Sequence, residues 1–141
     1  ALLRRALRGM RVGDIMTRYV RVLPAHLTLE DAVHDYFLLH KHGGYPVVYG
    51  DRLVGILTLQ DLRRIPRERW KEAQVREAMT PIAEAKVVRP GLSAYEALAR
   101  MLQEGVGRLL VVDEDGELMG LVTRSDLMHL IRVRTELGED Q

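Results

Sequence analysis

"GILTLQD" at residues 55–61 returns as "GLVTRSD" at residues 120–126. Each copy opens with glycine, carries threonine three residues on and ends in aspartate three residues later. The flanks repeat as well. "VGDIMT" at 12–17 answers "VREAMT" at 75–80, and "LPAHLTLEDAV" at 23–33 answers "RPGLSAYEALA" at 89–99. "YPVVYGDRLVGILTLQDL" at 45–62 answers "LLVVDEDGELMGLVTRSDL" at 109–127, with one extra residue at the turn. Such self-similarity marks a duplicated supersecondary unit.

Local chemistry spells out that unit. Thr28 and Ser93 stand three residues before Asp31 and Glu96, a helix-starting pattern close to a capping box. Ala32, Val33, Tyr36, Phe37 and His40 follow at helical spacing in the first copy, and Leu98, Met101 and Leu102 in the second. Gly43-Gly44 and Gly105 to Gly107 are expected to end these helices. "PVVY" and "LLVV" read as buried strands, "GD" at 50–51 and "EDG" at 114–116 as hairpin turns, and "LVGILT" and "LMGLVT" as the returning strands. Each returning strand runs into a helix, and an extended piece at 19–23 or 86–89 precedes the first one. The expected fold is α/β (α+β), two βαββα repeats packed with pseudo-twofold symmetry, because one copy alone buries too small a core. The expected boundaries are a leading helix or linker at 1–11, repeat 1 at 12–65, a connector at 66–74, repeat 2 at 75–131 and a tail at 132–141.

Composition excludes several classes. The 141 residues carry a net charge of +1, so no strong overall field points to nucleic acid. No apolar run approaches the ~20 residues that span a bilayer. There is no cysteine, which removes disulfides and thiol catalysis and fits a reducing compartment.

The repeated phrase itself supports two readings. Threonine as a helix N-cap and aspartate at the third helical position together stabilise a helix start. The same residues suit a ribose phosphate: a helix N-terminus and a hydroxyl for phosphate, a carboxylate for the ribose diol. Gly55 and Gly120 allow close approach of a ligand or of neighbouring backbone.

The whole pattern resembles a tandem pair of cystathionine-β-synthase-type (CBS) domains, a Bateman module, over about residues 10–133. The resemblance rests on "DIMT" and "EAMTP", on "YPVV" and "LLVV", and on "GILTLQDL" and "GLVTRSDL" in their order and duplication. It implies a regulatory, non-catalytic module that binds an adenosine-containing ligand (AMP, ADP, ATP or S-adenosylmethionine) in clefts between repeats and controls an attached or partner protein. No obligatory cofactor is implied. Carried over residue by residue, Thr58, Asp61, Thr123 and Asp126 would contact phosphate and ribose, with Arg124 beside them. Thr17 and Thr80 would be second contacts, and backbone near Val22 and Val88 would line the base pockets. A position shortly before the paired valines is often basic; here it is Arg108 in the second copy but Gly44 in the first, so the two clefts are not expected to bind alike. A homodimer is implied too. "AVHDYFLLHKHGGYPVV" followed by "LQDLRRIPRERW" is also similar to the module attached to site-2-type membrane metalloproteases. That similarity implies a cytoplasmic location, at the membrane face if a protease is attached. The alternative is a structural or dimerisation module with vestigial pockets.

Other candidates are better explained by solvation. His34 and His40 miss the four-residue spacing of paired helical metal ligands, and no metal site is expected. Ser93 and Ser125, the only serines, read as helix-start residues, and no catalytic constellation forms. The basic stretches 4–11 and 63–71 lack a groove-entering motif. Trp70 is expected to anchor the connector against a repeat.

Overall fold

The computed structural model describes residues 2–138. Its α+β chain divides into two units, a terminal one built from the residues up to Tyr19 together with those from Lys86 onward, and a central one from Val20 to Ala85.

In the central unit, β1 (Leu23–Pro24) lies parallel to β2 (Gly44–Tyr49). β2 then pairs antiparallel with β3 (Arg52–Thr58), and β3 with β4 (Thr80–Pro81). Thr28 starts α3 (Leu29–Ala32) by accepting a 3.1 Å hydrogen bond from Asp31 N. α4 (Leu59–Arg63) follows β3, and the single turn α5 (Val75–Ala78) precedes β4. Leu23, Leu29, Val47, Leu57, Leu62 and Val75 are buried together. Alternate residues of the strands and one face of each helix point inward, so removal of apolar surface from water holds the unit. Trp70 packs partly buried on this core, and its indole N–H donates to Ile65 O at 3.0 Å. It is an anchor for the connector, which holds one 3-10 turn at Arg67–Arg69.

The terminal unit repeats the plan with β5 (Val87–Val88), β6 (Arg108–Val112) and β7 (Leu118–Thr123), β5 parallel and β7 antiparallel to β6. Here α6 (Ala94–Glu104) buries Ala94, Ala97, Leu98 and Met101, a stripe at helical period. Ser93 caps its start and Gly105, at φ 66°, closes it in the left-handed conformation that glycine adopts cheaply. α7 (Arg124–Leu137) follows β7 and runs on through Leu137. The chain's beginning joins this unit: α1 (Leu2–Ala6), then the single turn α2 (Val12–Ile15), with Val12 and Met16 buried against Leu98, Leu109 and Leu127. Thr17 bridges Leu121 on the free edge of β7, where β4 sits on β3 in the central unit. The lead segment of each sequence repeat therefore pairs with the sheet of the other repeat.

The first long helix departs from expectation. It ends at Phe37, not at Gly43-Gly44, and Gly44 opens β2 instead. Thr28 to Gly44 holds one residue more than Ser93 to Arg108, and the excess is absorbed as a π turn at Val33–Phe37, with Leu38 N bonding back to Val33 O at 2.9 Å. Tyr45 secures this turn. Its buried hydroxyl donates to Tyr36 O at 3.1 Å, and the rings of Tyr36, Phe37 and His42 meet Tyr45 edge-on at centroid distances of 5.5, 4.9 and 5.7 Å. Burial raises the Tyr45 hydroxyl above its ordinary value despite the lowering effect of Arg21, so it remains a neutral donor. Tyr45→Phe is expected to cost about 1 kcal/mol of stability in urea denaturation. A loss of only a few tenths would mean that His40 N, 3.0 Å from the same carbonyl, suffices alone.

Candidate functional site

The two copies of the repeated phrase form two strand-to-helix corners. Gly55 lies opposite Pro81, and a methyl group built on it would fall 2.5 Å from Thr80 O and 2.8 Å from Met79 Sδ. On Gly120 it would fall 2.6 Å from Thr17 O and 2.9 Å from Met16 Sδ. What these glycines admit is the backbone of a lead segment, with its methionine wedged alongside.

Thr58 and Thr123 are the N-caps of α4 and α7. Each side-chain oxygen accepts from the backbone N–H of the aspartate three residues on, at 3.2 Å from Asp61 and 3.1 Å from Asp126. Each aspartate returns the bond: Asp61 Oδ2 accepts from Thr58 N at 3.0 Å, and Asp126 Oδ2 from Thr123 N at 2.9 Å. Both corners are thus reciprocal capping boxes. Ser125 sits past the cap, inside α7, and does not start the helix.

Beyond the caps the corners differ. Asp61 is only 4% exposed, and its carboxylate is fully engaged. Oδ2 takes a second bond from the Thr58 hydroxyl at 3.0 Å, Oδ1 takes one from the Thr80 hydroxyl at 3.3 Å, and the Arg64 guanidinium lies 3.6 Å from Oδ1. A buried carboxylate needs such company, because burial without partners is costly. Asp126 is half-buried, and among the described residues its Oδ1 has no partner. Thr17, the equivalent of Thr80, is exposed, and among the described residues its hydroxyl has no hydrogen-bond partner. His129 stands where Arg64 does, one turn after the aspartate, and makes no ion pair with Asp126.

Strand register separates the corners further. Arg108 faces Thr123 across β6 and β7, and Gly44 faces Thr58 across β2 and β3. Directly opposed residues of an antiparallel pair lie on one face with their Cβ atoms about 5 Å apart. Arg108 is half-buried, and the loss of solvent lowers its guanidinium below the ordinary value. It has no carboxylate or carbonyl partner among the described residues, although arginine remains charged in proteins. Arg124 is exposed and tied down: its N–H donates to Gly107 O at 2.9 Å and its Nη2 to Val106 O at 3.2 Å.

The ten residues singled out in the sequence thus fall into two sets. The terminal unit brings Arg108, Thr123, Arg124 and Asp126 to one corner, with Thr17 bridged two residues from Thr123 and Val88 buried in the same core. Val88 can therefore offer a ligand only backbone. The central unit holds Thr58, Asp61 and Thr80, bonded to one another, and Val22, half-buried ahead of β1. Sequence reading missed Arg64 as a partner of Asp61; its position three residues along the helix was the available signal. Among the described residues no three histidines or carboxylates are grouped to hold a metal ion.

The CBS domain family profile matches residues 12–68 and again 75–133. The chain belongs to the CBS-domain family. A CBS pair is a regulatory module and not a catalytic one. This pair is 29% identical over 134 residues to zinc metalloprotease MJ0392 of Methanocaldococcus jannaschii, covering 94% of this chain and 35% of that protein. It spans about a third of the length of that protein and of the putative zinc metalloprotease Rip3 of Mycobacterium tuberculosis. Among solved structures, the CBS domain of a bacterial CNNM/CorC family Mg2+ transporter in complex with ATP superposes with a TM-score of 0.79 at 27% identity, covering 93% of this chain and 94% of that one. CBSX2 in complex with AMP gives a TM-score of 0.76 at 28% identity, covering 92% of this chain and 99% of that one. No described helix of the CBS pair is long and apolar enough to cross a membrane.

Proposed function

We propose that this CBS pair senses an adenosine-containing ligand (AMP, ADP, ATP or S-adenosylmethionine) at the Asp126 corner, and so controls an attached or partner protein. The observation that carries this reading is the set of unpaired polar groups there. Asp126 Oδ1 is a free acceptor for a ribose hydroxyl, and Thr17 offers a hydroxyl beside it. The unpaired Arg108 guanidinium and the N-terminal turn of α7 suit a phosphate. Thr123 and Arg124 supply a hydroxyl and a second cation, and backbone at Val88 is available to a base. The nucleotides in the two related structures support the same ligand class.

A second reading holds for the other corner. Thr58, Asp61 and Thr80 saturate one another and Gly44 brings no charge, which favours a structural role there and one ligand per chain. The attached protein is a membrane metalloprotease in our reading, given the relatives' names and the short share of them that this chain covers. A cytoplasmic location and a homodimer belong to the same proposal.

Titration calorimetry with AMP, ATP and adenosine tests it. AMP or ATP should bind at one equivalent per chain. Arg108→Gln should weaken the nucleotides by roughly ten- to a hundredfold, the worth of a charge-assisted bond, and leave adenosine unchanged. Two equivalents per chain, or an equal loss for adenosine, would contradict the site. Absence of heat with every adenosine ligand, from folded protein, would move the reading to the structural module.

A further inference from the structure

We infer that a ligand at the Asp126 corner acts as a clasp on the chain's lead segment, residues 11–17, supplying a tie that the central unit makes with its own side chains. The inference rests on the nucleotide reading of that corner and adds to it the segment through which binding is felt.

Each of the two units receives a lead segment through backbone hydrogen bonds. In the central unit Val75 N donates to Leu27 O at 2.8 Å, Arg76 N to Ala25 O at 2.9 Å and Ile82 N to Val54 O at 2.9 Å. In the terminal unit Val12 N donates to Leu92 O at 2.8 Å, Gly13 N to Pro90 O at 2.9 Å, and Thr17 and Leu121 exchange bonds of 2.8 and 3.0 Å. Val75 and Val12 are buried alike, and Met79 and Met16 pack against the facing glycine. Two ties are not duplicated: Tyr19, the equivalent of Ile82, makes no backbone bond to Met119, and the second is a bond between side chains. Thr80 reaches Asp61 Oδ1 at 3.3 Å and joins its lead segment to the first turn of α4. Thr17 and Asp126 hold the equivalent places, and no hydrogen bond joins them.

A vicinal diol supplies what is lacking. One hydroxyl can donate to Asp126 Oδ1 while its neighbour bonds the Thr17 hydroxyl, so a single ribose would tie the lead segment to the first turn of α7. The far part of α7 already holds the chain just ahead of the segment: Arg134 Nη1 donates to Ala6 O at 3.1 Å and to Arg8 O at 2.7 Å. With ligand bound, α7 would hold the chain both ahead of the segment and at Thr17. The differential contact that a sensor requires is then the Thr17 bond, present only in the liganded state.

Hydrogen exchange on the full chain tests this, with AMP and, separately, ATP at concentrations that calorimetry has shown to saturate. Nucleotide should slow the amides of residues 12–17 by about threefold or more, the worth of one modest hydrogen bond, and leave 75–82 unchanged. Thr17→Val should abolish that slowing at nucleotide concentrations that calorimetry of the variant itself has shown to saturate. Without nucleotide, Thr80→Val should speed exchange at 79–82 by a similar factor, and Thr17→Val should leave 12–17 as they were. If nucleotide binds and 12–17 do not slow, or slow equally in Thr17→Val, the clasp is refuted and the sensor stands. If Thr80→Val has no effect, the comparison between units fails. If neither nucleotide gives heat, the sensor reading falls and the clasp with it.

Discussion

Gly120→Ala and Gly55→Ala should each destabilise their unit by about 2–3 kcal/mol, the upper range for overpacking a filled site. Neither glycine has the positive φ that would demand glycine on conformational grounds; space is the constraint. The added methyl would press on a backbone carbonyl, 2.6 Å away at Thr17 and 2.5 Å away at Thr80. Thr17 can retreat only by breaking both bonds it exchanges with Leu121, and Met16 would leave the core with it. Urea denaturation checks the expectation. Gly91→Ala is the control, since a methyl there meets nothing within 4 Å and its φ is ordinary. Equal midpoints for Gly120→Ala and Gly91→Ala would show that the lead segment is not held against β7.

The two aspartates of the repeated phrase should give opposite phenotypes. Asp61→Ala strips partners from Thr58 N, the Thr58 hydroxyl and the Thr80 hydroxyl at a nearly closed site. A stability loss of about 2–3 kcal/mol is expected, the range for breaking a buried polar network, with little effect on nucleotide affinity once the protein is folded. Asp126→Ala removes one cap bond at a half-exposed corner, about 1 kcal/mol of stability, but also the free acceptor. Nucleotide affinity should fall by about 1–3 kcal/mol, roughly ten- to a hundredfold. Paired denaturation and calorimetry measure both quantities. Equal losses of affinity in the two variants would mean that both corners bind, and would overturn the asymmetry.

Part of that asymmetry was legible in the residues. Arg108 against Gly44 is a difference of side chains at equivalent places, visible by aligning the copies. The state of the two aspartates was not, because "TLQD" and "TRSD" carry the same three-residue cap and differ only in what arrives from elsewhere in the chain. Thr80 arrives at Asp61 from 19 residues away, and it does bond. Thr17 arrives beside β7 and does not bond Asp126. The first helix shows a similar limit. Its apolar spacing predicts helix up to the glycine pair, but one surplus residue and the Tyr45 hydroxyl end it at Phe37.

Sequence alone determined the duplication, the four side-chain-capped helix starts at Thr28, Thr58, Ser93 and Thr123, the hairpin glycines and hence the family. Each depends on interactions between residues three or four apart, whose energies are set by the local residue types and hardly by the rest of the chain. Only the tertiary structure decided that residues up to Tyr19 complete the second repeat's sheet and that Thr80–Pro81 complete the first's. Both lead segments carry the same valine, methionine and threonine, so either would fit either sheet by pattern. The choice between them is made by chain connectivity and by burial of Met16 and Met79 against glycines more than twenty residues away. That exchange of lead segments brings Thr80 to Asp61 and leaves Asp126 with an oxygen to offer.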